Sequence, residues 1–206
     1  MRIGILGGSF NPPHVGHLAL AQAALASGMV ERVCLIPAAI PPHKAAPSQA
    51  DPETRLAMTR LLAESDSRLM VDGLELERSG PSFTIDTVRQ LTAGSPGSAY
   101  RVIIGSDLAK TFATWRDYRQ LLRLSPPMIA ERPGDLLGGR DDFVGMSDAE
   151  KDIMCRGRFA MEPVDMSSTM VRALLAGGAG DDELVCCLTP AVLRYIRRHN
   201  LYLSPN

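Results

Sequence analysis

Two histidines, His14 and His17, stand three residues apart in the run Gly7-Gly8-Ser9-Phe10-Asn11-Pro12-Pro13-His14-Val15-Gly16-His17. The run joins a short apolar stretch to one rich in Ala and Leu, which predicts a loop between a buried strand and a helix. With His14 just before the helix and His17 in its first turn, both rings can lie on one side. They would sit beside the unpaired N–H groups at the positive end of the helix, an anion site with two added donors. Phosphoryl transfer suits such a site, because its negative charge spreads over equatorial oxygens and catalysis is mostly positioning and charge stabilisation. Histidine donates to those oxygens and can protonate near neutral pH. Gly16 lets backbone and phosphate approach with no Cβ between them. The same pair would also serve as polar residues at a helix cap. As metal ligands two histidines without a carboxylate suit Mg²⁺ poorly, since it prefers oxygen. Pro12-Pro13 interrupts a dinucleotide-type glycine turn, and the loop has no Gly-Lys-Ser/Thr of a P-loop.

A second candidate loop is Asp165-Met166-Ser167-Ser168-Thr169-Met170-Val171-Arg172. Ser167 is a natural N-cap, and Ser168, Thr169 and the first free N–H groups form another phosphate cradle. Arg172 follows Ser168 by four residues, on the same helix face, and can hold a phosphate bidentately. A capping Ser with a solvated Arg has the same pattern.

The middle of the chain offers further groups. Lys44, in Pro42-His43-Lys44, can neutralise a phosphate or be an ordinary loop lysine. Thr84 and its neighbouring backbone can hydrogen-bond a small carboxylate. Asp107, after Gly105-Ser106, can accept from ribose hydroxyls or cap a helix. Trp115 is the sole tryptophan, suited to the core or to stacking on a flat ring. Arg132 adds a phosphate-grade cation.

These groups need elements to position them. Strands are expected at Ile3–Leu6, Arg32–Ile36, Leu69–Glu75, Tyr100–Ile104, Pro127–Ala130 and Phe159–Val164. Helices are expected from His17 to Ser27, closed by Gly28, after Asp51-Pro52, over Ser82–Leu91, over Ser168–Ala176 and after Thr189-Pro190. The alternation predicts an α/β fold, a Rossmann-like doubly wound parallel sheet with helices on both faces. Ligands then bind beyond the carboxyl ends of the strands. One domain over residues 1–206 is expected, its part from about 165 a helical extension packed on the sheet. The segment from Gly134 to Arg156 reads as a variable surface loop.

Composition narrows the function classes. With 206 residues and 45% apolar content, the chain can build a core without disulfide or metal staples. Lys+Arg 22 against Asp+Glu 23 gives a net charge of −1, which argues against a dedicated nucleic-acid binder. No run approaches a membrane span. Cys34, Cys155, Cys186 and Cys187 show no metal spacing and read as free thiols, hence a cytoplasmic location.

The first loop, Gly-Ser-Phe-Asn-Pro-Pro-His-Val-Gly-His, resembles the signature of the HxGH nucleotidyltransferases. The last loop resembles that superfamily's second motif, with Met166 in place of the usual Ile. Pro-His-Lys, Phe-Thr-Ile-Asp-Thr, Ile-Ile-Gly-Ser-Asp, Thr-Trp, Arg-Pro-Gly and the tail Tyr195–Tyr202 make nearly the whole chain similar to bacterial nicotinate mononucleotide adenylyltransferases. The resemblance implies in-line transfer of the adenylyl group of ATP to nicotinate mononucleotide, giving deamido-NAD and pyrophosphate with no covalent intermediate. It implies catalytic roles for His14, His17 and Arg172. It implies ATP contacts from Gly8, Ser9, Phe10, His17, Gly105, Asp107, Ser167, Ser168, Thr169 and Arg172. Acceptor contacts would come from Asn11, Lys44, Thr84, Trp115 and Arg132. Mg²⁺ would be delivered with ATP rather than held by protein ligands, and a homo-oligomer is compatible. The nearest alternative is the same chemistry on nicotinamide mononucleotide or phosphopantetheine.

Overall fold

The computed structural model describes residues 1–40, 50–132, 134 and 136–203, so Lys44 and the piece around it lie outside the described residues. Six strands pair in parallel in the order β3-β2-β1-β4-β5-β6. They are β1 (Arg2–Gly8), β2 (Arg32–Pro37), β3 (Leu69–Val71), β4 (Ala99–Gly105), β5 (Met128–Glu131) and β6 (Arg158–Ala160). The order reverses between β1 and β4, which opens a crevice at their carboxyl ends.

Strand side chains alternate between two cores, as a period of two requires. Leu6, Val33, Leu35, Ile103 and Met128 face one side, where α1 (Val15–Ala26), α2 (Pro52–Ala63), α7 (Ser168–Ala176) and α9 (Pro190–Arg198) bury their apolar stripes. Ile5, Cys34, Ile36, Val102, Ile104 and Ile129 face the other side, against α3 (Thr84–Gly94), α5 (Tyr118–Leu124) and α6 (Asp148–Arg156). Two short helices, α4 (Ser106–Lys110) and α8 (Asp181–Leu184), complete the set among the described residues. The expected caps hold for three helices. Asp51 receives Thr54 N–H at 2.9 Å, Ser167 caps α7 and Thr189 caps α9, while Gly28 ends α1 at φ +70°.

Three expectations change. The strand expected over Leu69–Glu75 stops at Val71, because the Asp72 carboxylate takes the Leu74 N–H at 2.9 Å and turns the chain. The strand expected over Phe159–Val164 covers Arg158–Ala160; Pro163 has no N–H to extend the ladder. The segment read as a surface loop contains α6. Its Ser147 and Glu150 form a capping box, and Met154 is buried in the core. Among the described residues no helix is long and apolar enough to cross a membrane, and all four cysteines are free.

Candidate active site

The loop after β1 delivers both histidines to the start of α1. His14 is the N-cap, with extended backbone, and its Nδ1 accepts the Gly16 N–H at 3.1 Å. Nδ1 of His17 accepts the His14 N–H at 3.2 Å. The ring centroids are 3.8 Å apart. A backbone N–H can only donate, so each Nδ1 is a lone pair and each ring carries its proton on Nε2. This reciprocal cap is the imidazole counterpart of a capping box, and it fixes the tautomer that donates to an anion.

His14 is 6% exposed. Burial, and then the positive charge of Arg132, push its pKa down from 6.5 to about 4. The expectation of a histidine that protonates near neutrality is therefore corrected for His14: it is a neutral donor at neutral pH. Gly16 also meets a steric demand within the protein. A Cβ there would stand 3.0 Å from the His14 ring and 3.4 Å from the Met166 carbonyl. The glycine makes room for the histidine and for the last loop.

That last loop is tied directly to the first. Ser167 caps α7 by accepting the Met170 N–H at 3.2 Å. The Ser168 hydroxyl donates to the Pro12 carbonyl at 2.9 Å, and Arg172 Nη1 donates to the Asn11 carbonyl at 2.7 Å. Arg172 Nη2 reaches the Thr169 hydroxyl at 3.2 Å. The four-residue spacing of Ser168 and Arg172 does put them on one face, and that face grips main-chain oxygens of the histidine loop. Thr169 and Ser167 are exposed, beside the start of α7.

Two expected ligand contacts are spatially restricted. The Phe10 ring is fully buried with its centroid 4.8 Å from that of His17, so it supports the histidine and leaves only backbone for a ligand. Asn11 is 2% exposed, and its Oδ1 accepts both the Tyr202 hydroxyl at 2.7 Å and the Ala50 N–H at 3.2 Å. Gly8 and Ser9 lie half-buried at the end of β1, where the Gly8 carbonyl accepts the Ala38 N–H at 2.9 Å.

Arg55 was not anticipated. It is 1% exposed and donates to three carbonyls: Ser9 at 2.7 Å, Ala39 at 3.2 Å and Ala50 at 3.2 Å. One guanidinium thus holds the histidine loop and both flanks of the segment that carries Lys44. Ser82 helps at one flank, its hydroxyl accepting the Ala39 N–H at 3.0 Å. Arg55 shares the buried face of α2 with Met58, Thr59 and Leu62. An arginine in an apolar helical stripe was the available signal.

The opposite face of the sheet contributes the remaining residues. Thr84 opens α3 behind Phe83, which offers no side-chain cap. Thr87 on the same helix bonds Arg78 at 2.7 Å and Glu75. Half-buried Trp115 packs on Phe112, ring centroids 5.0 Å apart. Arg116 lies 4.8 Å over the Phe83 ring and 3.8 Å from Asp86, whose carboxylate also pairs with Arg89 at 3.1 Å. Phe83 and Trp115 both pack against the same core. Gly105 and the exposed Asp107 stand at the end of β4, next to the crevice, with Asp107 in the first turn of α4. Arg132 directly follows β5, close enough for its charge to act on His14.

The crevice thus presents two imidazole donors, the starts of α1 and α7, and the guanidinium groups of Arg132 and Arg172. Such a set stabilises a polyanion in which charge moves between oxygens.

Residues 5–174 match the family described as cytidylyltransferase-like. The chain is 40% identical over 202 residues to the "Probable nicotinate-nucleotide adenylyltransferase" of Bordetella petrii, covering 98% of each protein. It is 36% identical to the protein of the same name from Geobacter sulfurreducens, again covering 98% of each. Among solved structures it resembles Plasmodium falciparum nicotinic acid mononucleotide adenylyltransferase complexed with NaAD, with a TM-score of 0.75 at 18% identity over 98% of this chain and 97% of that one. That likeness establishes a shared nucleotidyltransferase fold.

Proposed function

Because this chain belongs to the nicotinate-nucleotide adenylyltransferase family, we propose that it transfers the adenylyl group of ATP to nicotinate mononucleotide. The products are deamido-NAD and pyrophosphate, and the reaction serves NAD biosynthesis. The observation that carries the reading is the joining of two phosphate loops. Ser168 and Arg172 bond the carbonyls of Pro12 and Asn11, immediately before His14.

A phosphate oxygen of the mononucleotide attacks the α-phosphorus of ATP, and the bond from that phosphorus to the bridging oxygen of pyrophosphate breaks in line. The attacking phosphate is already a nucleophile at neutral pH, so no protein nucleophile or covalent intermediate is needed. The Nε2–H groups of His14 and His17 donate to the oxygens of the reacting phosphate. Neutral His14 does so without giving up its proton. Arg172, Ser167, Ser168 and Thr169 at the start of α7 receive the departing pyrophosphate, and Asp107 and Gly105 receive the ATP ribose. The pyridine ring lies between Thr84 and Trp115, with Arg132 toward the acceptor phosphate.

The loop donors are imidazoles, guanidinium groups and N–H groups, a set that favours anions over a hard cation. Ser167, Ser168, Thr169 and Arg172 would hold the phosphates that carry Mg²⁺, and the ion would neutralise charge on the leaving pyrophosphate.

Product analysis tests the proposal. With ATP and a panel of nicotinate mononucleotide, nicotinamide mononucleotide and phosphopantetheine, the expected main product is deamido-NAD with stoichiometric pyrophosphate. Turnover of phosphopantetheine alone would overturn the acceptor assignment.

A further inference from the structure

Cys186 and Cys187 follow α8, and neither has a part in the site described above. Cys186 is exposed and Cys187 is buried, and both are free thiols. Their Sγ atoms lie 3.5 Å apart. Both point toward the Glu183 carbonyl, at 3.1 Å and 3.7 Å, so the two sulfurs converge on one side of the turn. With sulfur bonds of about 2.3 Å, a separation of 3.5 Å subtends an angle of roughly 100° at a shared centre. Among the described residues no group of three or more His, Cys, Asp or Glu could complete a metal site. The geometry fits a soft centre that needs only two protein thiolates and brings its own third substituent.

We infer that the Cys186–Cys187 pair is a binding site for a trivalent arsenical, and that its occupation disturbs the histidine loop. The chemistry is an exchange without redox change. Two As–O bonds break and two As–S bonds form, and each thiol proton leaves with a hydroxide as water. Exposed Cys186 reacts first. Ring closure on Cys187 is then intramolecular, which gives the adjacent pair its advantage over separate thiols.

The coupling runs through one hydrogen bond. The Cys187 carbonyl accepts the N–H of Val15 at 2.9 Å. Val15 is the first residue of α1 and lies between His14 and Gly16. Cys187 is 2% exposed, so seating arsenic against its sulfur displaces the turn and with it the peptide that holds Val15. This second half of the inference rests on the proposed adenylyl transfer, whereas the first half does not.

The test uses the full chain, phenylarsine oxide and an excess of a monothiol, read by intact mass. The expected result is one phenylarsenic adduct per chain, removed by 2,3-dimercaptopropanol. It should persist in Cys34→Ser and Cys155→Ser and vanish in Cys186→Ser and Cys187→Ser. Adduct formation should slow transfer by roughly tenfold or more, as small displacements at a catalytic centre do. Cys186→Ser should keep its basal rate and resist the arsenical. Absence of an adduct, or an adduct that survives Cys186→Ser, overturns the site. A fully occupied enzyme with an unchanged rate overturns the coupling. Lack of any deamido-NAD formation before arsenical is added would instead count against the proposed function, and the mass result would stand.

Discussion

The helices around the crevice come from opposite faces of the sheet and are held in different ways. On one face, α7 and α2 are joined to the loop that opens α1 through main-chain oxygens: Ser168 to Pro12, Arg172 to Asn11, Arg55 to Ser9. On the other face, α3 and the Trp115 region share an apolar core and are linked at the surface by side-chain ion pairs, Arg89 with Asp117 and Arg116 with Asp86, at groups 35–55% exposed. Main-chain carbonyls move only when the fold moves. Exposed ion pairs contribute about 0–1 kcal/mol each and yield to salt. The contrast matches the two proposed tasks. Stabilising a charge-shifting phosphoryl group requires donors that do not reorganise, whereas holding a flat ring tolerates adjustment.

The largest expected effect strikes the rigid face. His17→Ala should lower kcat by roughly 10²–10³-fold with little change in the KM for ATP, because a preorganised donor acts mainly on the transition state. A variant with near-normal kcat in steady-state kinetics would remove His17 from the mechanism.

His14 extends the comparison to pH. Its pKa is about 4 in the fold and 6.5 ordinarily, so between these values the unfolded chain binds a proton that the native chain does not. Stability should therefore fall as pH drops from 6.5 toward 4, by about 3 kcal/mol from this residue, and level off below. Urea unfolding across that range checks it. His14→Asn should flatten the slope, and an equal slope in both proteins would show that other groups carry it.

On the adjustable face, Trp115→Ala should weaken nicotinate mononucleotide binding by about 1–3 kcal/mol while sparing ATP affinity, with only a modest fall in thermal midpoint from the lost packing on Phe112. The mononucleotide should also quench the emission of the wild-type tryptophan. If instead the midpoint falls steeply and both ligands suffer, Trp115 belongs to the core and the contrast between faces fails.

Tyr202→Phe gives the smallest expected change. It deletes one hydrogen bond to Asn11, worth about 1 kcal/mol, measurable by denaturant titration. It should raise the KM for ATP more than that for the acceptor, since Asn11 belongs to the loop that Arg172 also holds.

Much of this was legible in the sequence because it was local. Glycines, prolines and Ser or Thr caps mark most element ends, and apolar runs mark the strands. The Ser168 and Arg172 face followed from helical spacing. What was not legible depended on distant partners. The neutrality of His14 needs its burial and the approach of Arg132, which come from different strands. The partners of Arg55 were hidden because its three carbonyls lie in two loops outside its own helix. Nothing local reveals that Tyr202 bonds the Asn11 oxygen from 191 positions away. The helix over Asp148–Arg156 is a different case: its Ser147–Glu150 signature was present, and a polar, acidic surround concealed it.

The bond from Tyr202 to Asn11 spans 191 positions. A ribosome releases residue 202 long after residue 11. The first strand and helix can begin to form while α7 and the tail are still unmade, but the loop between them awaits both. Contacts of this sequence separation close late and slowly. Synthesis therefore carries its own timing: the histidine loop is made well before the residues that finish it.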